Sequence, residues 1–152
     1  MFTLLLHEIG HSATYFLLAI ALTKILKYEK YPWKLILLGY VVTIGLDADH
    51  LLDYMIVNNW GGFNFQDFIF SDYMLMTGKI YLIFHAWEWV LLSVLFYLLF
   101  HERYNFFLFI AIGIAAQLIF DTISYGFNWD AYFIFHRAFE NFSNHIFLSK
   151  YN

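Results

Sequence analysis

The sequence contains no cysteine and only one proline, Pro32. Without cysteine, neither disulfide bonds nor thiolate metal ligands are possible. Charged residues are also scarce, at 13% of the 152 residues, whereas soluble domains carry about 25%. The eight Lys and Arg residues form no basic face and the net charge is −4, so no nucleic acid is expected as a partner.

Hydrophobic residues make up 62% of the chain, and aromatic residues alone make up 24%. A soluble fold could not keep that much apolar surface from aggregating. A bilayer core of about 30 Å is crossed by roughly 20 apolar helical residues, and four stretches are long enough. They span about residues 2–26, 33–56, 80–100 and 106–125. We therefore predict an all-α, polytopic membrane four-helix bundle that forms a single domain over residues 1–152.

The segment after the fourth stretch predicts an additional amphipathic helix over about residues 129–149. Aromatic and aliphatic residues recur there at near-helical spacing, and polar residues such as Arg137 and Glu140 lie between them. This pattern is typical of helices that lie in the membrane interface. We expect this helix and the loop 57–79 to form a cleft for an acyl chain.

A basic cluster between the first two stretches predicts the orientation in the membrane. It consists of Lys24, Lys27, Lys30 and Lys34. Short basic loops remain in the cytoplasm, so the N-terminus, the loop 57–79 and the C-terminal segment are expected outside. The predicted location is a bacterial-type cytoplasmic membrane.

Ionisable residues occur within the apolar stretches or at their ends, although each costs about 2.5–3.5 kcal/mol at a helix centre. In an up-and-down bundle, the starts of the odd stretches meet the ends of the even ones. The residues should therefore share one layer near the extracytoplasmic face. They are His7, Glu8, His11, Asp47, Asp49, His50, Asp53, His85, Glu88 and Asp121.

Several of these residues are spaced so that they share a helical face, as His7 and His11 do at i and i+4. Helical bundles build metal sites from such pairs of imidazoles and carboxylates. Donors of this kind suit a divalent metal, zinc first, with manganese or iron as alternatives, bound as one or two ions. Glu8 and Glu88 are the candidates for a general base. The predicted ligands are His7, His11, Asp47, Asp49, His50, His85 and Asp121.

The segment His7-Glu8-Ile9-Gly10-His11 fits the H-E-x-x-H motif, in which the histidines bind zinc and the glutamate is the general base of a protease. Intramembrane zinc proteases of the site-2 type also carry Leu-Asp-Gly and Asn-Pro in a later helix. Here Asp121 is followed by Thr122, without the Gly and the Pro. An intramembrane zinc protease is therefore kept as an alternative function.

The segment Leu46-Asp47-Ala48-Asp49-His50-Leu51 resembles the D-x-D-H motif of the YdjM-like family of membrane-bound metal-dependent hydrolases. The resemblance covers roughly residues 7–125, because an early His (His11 or His7), His85 and Asp121 follow the family's order. Gln117 replaces the His of the family's final H-x-x-x-D motif. The family's ligand order is in turn distantly similar to that of zinc-dependent phospholipase C and P1 nuclease.

The resemblance implies an integral membrane hydrolase in which a metal-activated water attacks a lipid-linked phosphoester. Membrane lipid is then both the surroundings of the protein and the source of its substrate. A third interpretation is not enzymatic, namely a membrane subunit in which the polar layer or a bound metal is purely structural.

Overall fold

The computed structural model describes residues 2–28, 32–69, 76–100, 105–124 and 128–148, whose regular secondary structure is helical apart from one isolated bridge between Lys79 and Ser143. The all-α prediction is confirmed for these residues. A 3-10 turn spans Asp130–Tyr132. The helices are α1 (Phe2–Ile25), α2 (Trp33–Gly45), α3 (Ala48–Val57), α4 (Phe65–Ile69), α5 (Trp87–Phe100), α6 (Phe106–Ser124), α7 (Ile134–Phe139) and α8 (His145–Leu148).

Helix α6 is the centre of the fold, because α1, α2 and α5 all pack against it. The start of α1 meets the end of α6, where His11 lies 2.8 Å from Asp121. The chain just after α1 meets the start of α6, where the rings of Tyr28 and Phe109 are neighbours. Helices α1 and α6 are therefore antiparallel, as expected for an up-and-down arrangement.

Helices α2 and α6 run in the same direction and approach closely at two glycines. A Cβ atom on Gly39 would lie 2.6 Å from the carbonyl oxygen of Phe109, and one on Gly113 would lie 2.5 Å from that of Gly39. One turn further along, the Oγ1 atom of Thr43 lies 2.9 Å from the Gly39 oxygen and 3.2 Å from the Gly113 oxygen. Small residues permit such backbone contact between apolar helices, and the contact fixes the register of the two helices.

Within the described residues, two helical stretches are long and apolar enough to cross a membrane, namely Trp33–Val57, which comprises α2 and α3, and Phe106–Ser124. Helix α5 is apolar but shorter, at 14 residues. The predicted helix 33–56 has the expected extent, with one local change between α2 and α3. There the amide of Asp49 donates to the carbonyl of Leu46, three residues earlier, which tightens the turn.

The predicted helix over residues 80–100 is wrong at its beginning, because α5 starts only at Trp87. The amides of the preceding segment donate to carboxylates of α3, so they are not available for the first helical turns. His85 therefore lies before the helix and not inside it. The donor and acceptor pairs are Tyr81 to Asp53 at 2.7 Å, Phe84 to Asp49 at 2.6 Å and His85 to Asp49 at 3.1 Å.

The prediction of one continuous amphipathic helix over 129–149 is also wrong within the described residues, which end at 148. The segment forms a 3-10 turn and the short helices α7 and α8. Asn141 and Phe142, with φ angles of 53° and 54°, end α7 in a left-handed conformation that helices cannot continue. Arg137 is fully buried because it bonds to the segment before α5, and this anchors α7 to the bundle.

Candidate metal centre

The ionisable side chains of separate helices meet at one end of the bundle, as predicted. In the part of the chain that the structure describes, three groups each offer potential metal-ligand atoms that lie within 4.8 Å of one another. Together they draw on α1, the turn after α2, α3, the segment before α5, and α6. The groups are His7, His11 and Asp121; Asp47, His50 and His85; and Glu8, His11 and Asp47.

Asp121 is the centre of the first group. Its Oδ1 atom lies 2.8 Å from Nε2 of His11 and 3.1 Å from Nε2 of His7. The two imidazoles share one face of α1, with ring centroids 4.3 Å apart. His11 and Asp121 are buried, whereas His7 is partly exposed. The pair of histidines predicted from the H-E-x-x-H spacing thus converges on a carboxylate from another helix.

Gly10, inside the same motif, has a packing role that the sequence did not reveal. A Cβ atom at Gly10 would overlap the ring of Phe120. That ring packs edge-on against both imidazoles, with centroid distances of 5.2 Å to His7 and 5.0 Å to His11. The absence of a side chain at Gly10 therefore lets Phe120 shield the histidine pair from the surroundings.

His85 carries the clearest sign of a cation site. Its Nδ1 atom lies 3.3 Å from Oδ2 of Asp49, whereas its buried Nε2 atom has no hydrogen-bond partner. Nε2 lies 3.9 Å from Oδ1 of Asp47 and 4.0 Å from Oδ2 of Asp121. If Nδ1 carries the proton, the lone pair of Nε2 faces two carboxylates, and a cation between them would stabilise this arrangement. A carboxylate behind the distal nitrogen is typical of metal-bound histidine.

Gln117 is fully buried and its amide donates to Oδ1 of Asp47 at 2.6 Å. Gln117 therefore holds a neighbouring carboxylate in position. The other oxygen of Asp47 is buried without a hydrogen-bond partner, so it can serve as a ligand. His50 completes this second group, with its ring centroid 5.1 Å from that of His85.

The distances between these atoms suit a bound metal. Ligands of a tetrahedral zinc at 2.0–2.2 Å lie roughly 3.3–3.6 Å apart. Four of the separations between candidate ligand atoms run from 2.8 to 4.0 Å and bracket this spacing. Within each group, all the candidate atoms lie within 4.8 Å of one another.

Negative charge exceeds positive charge in this layer, which also favours a cation. Among the Lys and Arg residues that the structure describes, Arg137 is the one that is fully buried. Its guanidinium donates to the carbonyls of Leu82 at 2.8 Å, His85 at 3.0 Å and Ala131 at 3.2 Å. Burial lowers the pKa of its guanidinium to about 10, while nearby carboxylates oppose that shift, so it is protonated at neutral pH. The carboxylates of the layer are Glu8, Asp47, Asp49, Asp53, Glu88 and Asp121.

Two predicted site residues belong to none of the three groups. The Oδ2 atom of Asp49 contacts two amides and Nδ1 of His85, whereas its Oδ1 atom is buried without a hydrogen-bond partner. Glu88 accepts a hydrogen bond from the amide of Phe135 at 3.2 Å and lies near Arg137. Glu8 does belong to a group, so of the two candidate bases it is the one beside the potential ligands.

No protein-family model, curated protein or solved structure matches the chain. The resemblance to the YdjM-like family therefore stays a prediction, and the function has to be argued from the geometry of this centre.

Proposed function

We propose that the protein is an integral membrane metal-dependent hydrolase that acts on a lipid-linked phosphoester. The observation that carries the proposal is the buried Nε2 atom of His85, which faces the carboxylates of Asp47 and Asp121 without a hydrogen-bond partner. A buried nitrogen acceptor and two carboxylates that face one another without a hydrogen bond or a counter-charge cost folding free energy. A bound divalent cation would remove this cost.

The outward faces of the helices support a membrane location. Leu17 on α1, Leu37 on α2 and Leu91 on α5 are 71%, 61% and 63% exposed. Large exposed apolar faces are unfavourable in water but suit contact with lipid tails. Lys24 and Lys34 lie at the end of the bundle opposite the candidate ligands, so the positive-inside rule supports a centre toward the extracytoplasmic face.

The position of Asp121 supports two ions. Its Oδ1 atom faces His7 and His11, and its Oδ2 atom faces His85. Asp121 would then help to hold a cation on each side, one with His7 and His11 and one with His85. Zinc is favoured because the donors are imidazoles and carboxylates, and manganese and iron use the same donors.

Once bound, the metal would polarise a phosphoryl oxygen and lower the pKa of water toward neutrality. The carboxylate of Glu8, which lies beside His11 and Asp47, is placed to accept the proton from the attacking water. Asp49 would act through His85, because its hydrogen bond to Nδ1 holds the Nε2 lone pair toward the centre. The phosphoester substrate follows from the resemblance to metal-dependent hydrolases.

The group of His7, His11 and Asp121 also suits the zinc-protease alternative, because that enzyme class needs two histidines and one aspartate. The two functions differ in their use of His85. A protease centre at the first group does not need it, whereas a centre that spans both groups does.

Metal analysis of the detergent-purified protein and its His85→Ala variant tests these functions. The hydrolase predicts bound zinc, phosphate release from a lipid phosphate in mixed micelles, and loss of both in the variant. Retention of full metal content by the variant would contradict it and favour the protease, which a transmembrane peptide substrate would then reveal. Absence of metal from the wild type would favour a non-enzymatic subunit. His145→Ala is the matched control, because His145 is exposed and pairs only locally with Ser143.

A further inference from the structure

An apolar groove begins next to the candidate metal centre. It lies between α1 and α2 and has a volume of about 610 Å³, within the range of roughly 300–1,000 Å³ that ligand sites occupy. Its lining residues are Glu8, Ile9, Ser12, Ala13, Tyr40 and Ile44.

Glu8 gives the groove a polar end, because the same residue belongs to a candidate ligand group with His11 and Asp47. From Glu8 the groove follows α1 to Ala13, a distance of about 7.5 Å at 1.5 Å per residue. This direction leads away from the polar layer and toward the middle of the helices. An elongated molecule in the groove would therefore have one end at the metal centre and the rest among apolar side chains.

The walls of the groove suit a hydrocarbon chain. Ile9 and Ile44 stand at its rim, 54% and 44% exposed, so a chain could enter sideways from the surrounding lipid. The only hydroxyls among its lining residues belong to Ser12 and Tyr40, which lie 3.3 Å apart and bond to each other. Because these two hydroxyls are already hydrogen-bonded to each other, covering them with an apolar ligand costs little free energy of desolvation.

We propose that this groove binds the hydrocarbon chain of the substrate while its phosphoester lies at the metal centre. The substrate class is then a single-chain or splayed lipid phosphate taken directly from the bilayer. This inference rests on the proposed function, and it replaces the predicted acyl cleft of the loop 57–79 and the C-terminal segment. Residues 70–75 of that loop lie outside the described residues.

Photo-labelling tests the occupant of the groove without relying on turnover. The probe is a long-chain alkyl phosphonate with a diazirine in its chain, applied to the protein in nanodiscs, and the control probe is the alcohol with the same chain. The groove predicts labelling of Ile9, Ala13 and Ile44 by the phosphonate, several-fold stronger than by the alcohol. Labelling at other residues would overturn the inference. Equal labelling by both probes would also overturn it, because it would show that the probes react from the surrounding lipid and not from a site that recognises the phosphonate.

A substitution that fills the groove provides the kinetic test. Ala13→Trp should lower the ratio of kcat/KM for the lipid phosphate to kcat/KM for p-nitrophenyl phosphate by roughly tenfold or more, because the chain loses its apolar contacts. Leu95→Trp places the same side chain on an exposed position of α5, a helix that contributes no residue to the groove, and should leave the ratio unchanged.

The outcomes separate the two proposals. Suppose that the protein binds metal and hydrolyses p-nitrophenyl phosphate, but Ala13→Trp leaves the ratio of the two kcat/KM values unchanged. That result would overturn the proposal that the groove binds the hydrocarbon chain, and the hydrolase proposal would stand. A protein without metal that hydrolyses neither substrate overturns the proposed function and the inference with it.

Discussion

The Nε2 atom of His11 lies 2.8 Å from Oδ1 of Asp121, although 110 positions separate the two residues in the chain. Replacing Asp121 with Asn keeps the size of the side chain and removes its negative charge. If both carboxylate oxygens face bound ions, Asp121→Asn should weaken zinc binding by more than the roughly 10–100-fold that loss of an outer hydrogen bond costs. Competition with a zinc-binding dye measures this affinity.

Asp130→Asn is the control for this charge change, because Asp130 is exposed and lies outside the three ligand groups. It should keep the wild-type affinity. Equal zinc affinity in the two variants would contradict the assignment of Asp121 as a metal ligand.

Asp49 should matter for metal binding although it is not placed as a ligand. Its Oδ2 atom accepts from the amides of Phe84 and His85 and holds Nδ1 of His85. Asp49→Asn should therefore lower metal affinity about 10–100-fold, the usual effect of losing a partner that orients a ligand. Isothermal titration with zinc gives the affinity directly.

Asp53→Asn is the matched comparison, because Asp53 binds the amide of Tyr81 in the same segment and belongs to none of the ligand groups. It should lower thermal stability without a comparable loss of zinc affinity. If both variants bind zinc equally well, Asp49 does not orient His85.

The sequence predicted the parts of the fold that depend on local pattern. Apolar length located α1, the stretch Trp33–Val57 that comprises α2 and α3, and α6 to within a residue or two. The i, i+4 spacing of His7 and His11 placed both on one face, and the alternation of helix direction brought them to Asp121. These features follow from helical geometry alone, so they needed no knowledge of the neighbours.

Contacts between distant segments decided the parts that the sequence could not predict. The apolar run from residue 80 onward looks helical, but carboxylates of α3 take its amides and delay the start of α5 to Trp87. Arg137 looks like a polar-face residue, and only the folded chain shows that three backbone carbonyls bury it. In both cases, hydrogen bonds to a partner far away in the sequence outweighed the structure that the local sequence favours.

Arg137 should stabilise the fold strongly, because it is the buried cation that links α7 to the segment before α5. Arg137→Met leaves its carbonyl partners unpaired and removes the charge that faces Asp49 and Glu88. Loss of one partner from a buried ionic network costs about 3–5 kcal/mol, which thermal unfolding in detergent would detect. Lys79→Met removes a partly exposed cation from the same region, whose hydrogen bond to the Asn141 carbonyl is open to solvent, and should change stability little. Similar unfolding temperatures for the two variants would contradict a structural role for Arg137.

The close approach of α2 and α6 should make two glycines of the same helix respond in opposite ways to the same substitution. A Cβ at Gly39 would meet the Phe109 carbonyl at 2.6 Å, whereas a Cβ at Gly45 would have no neighbour within 4 Å. Gly39→Ala should therefore cost about 1–3 kcal/mol through overpacking. Gly45→Ala should be neutral or should stabilise the helix by up to about 1 kcal/mol. Thermal unfolding of both variants measures the difference, and destabilisation by Gly45→Ala with tolerance of Gly39→Ala would show that the helices do not pack through Gly39.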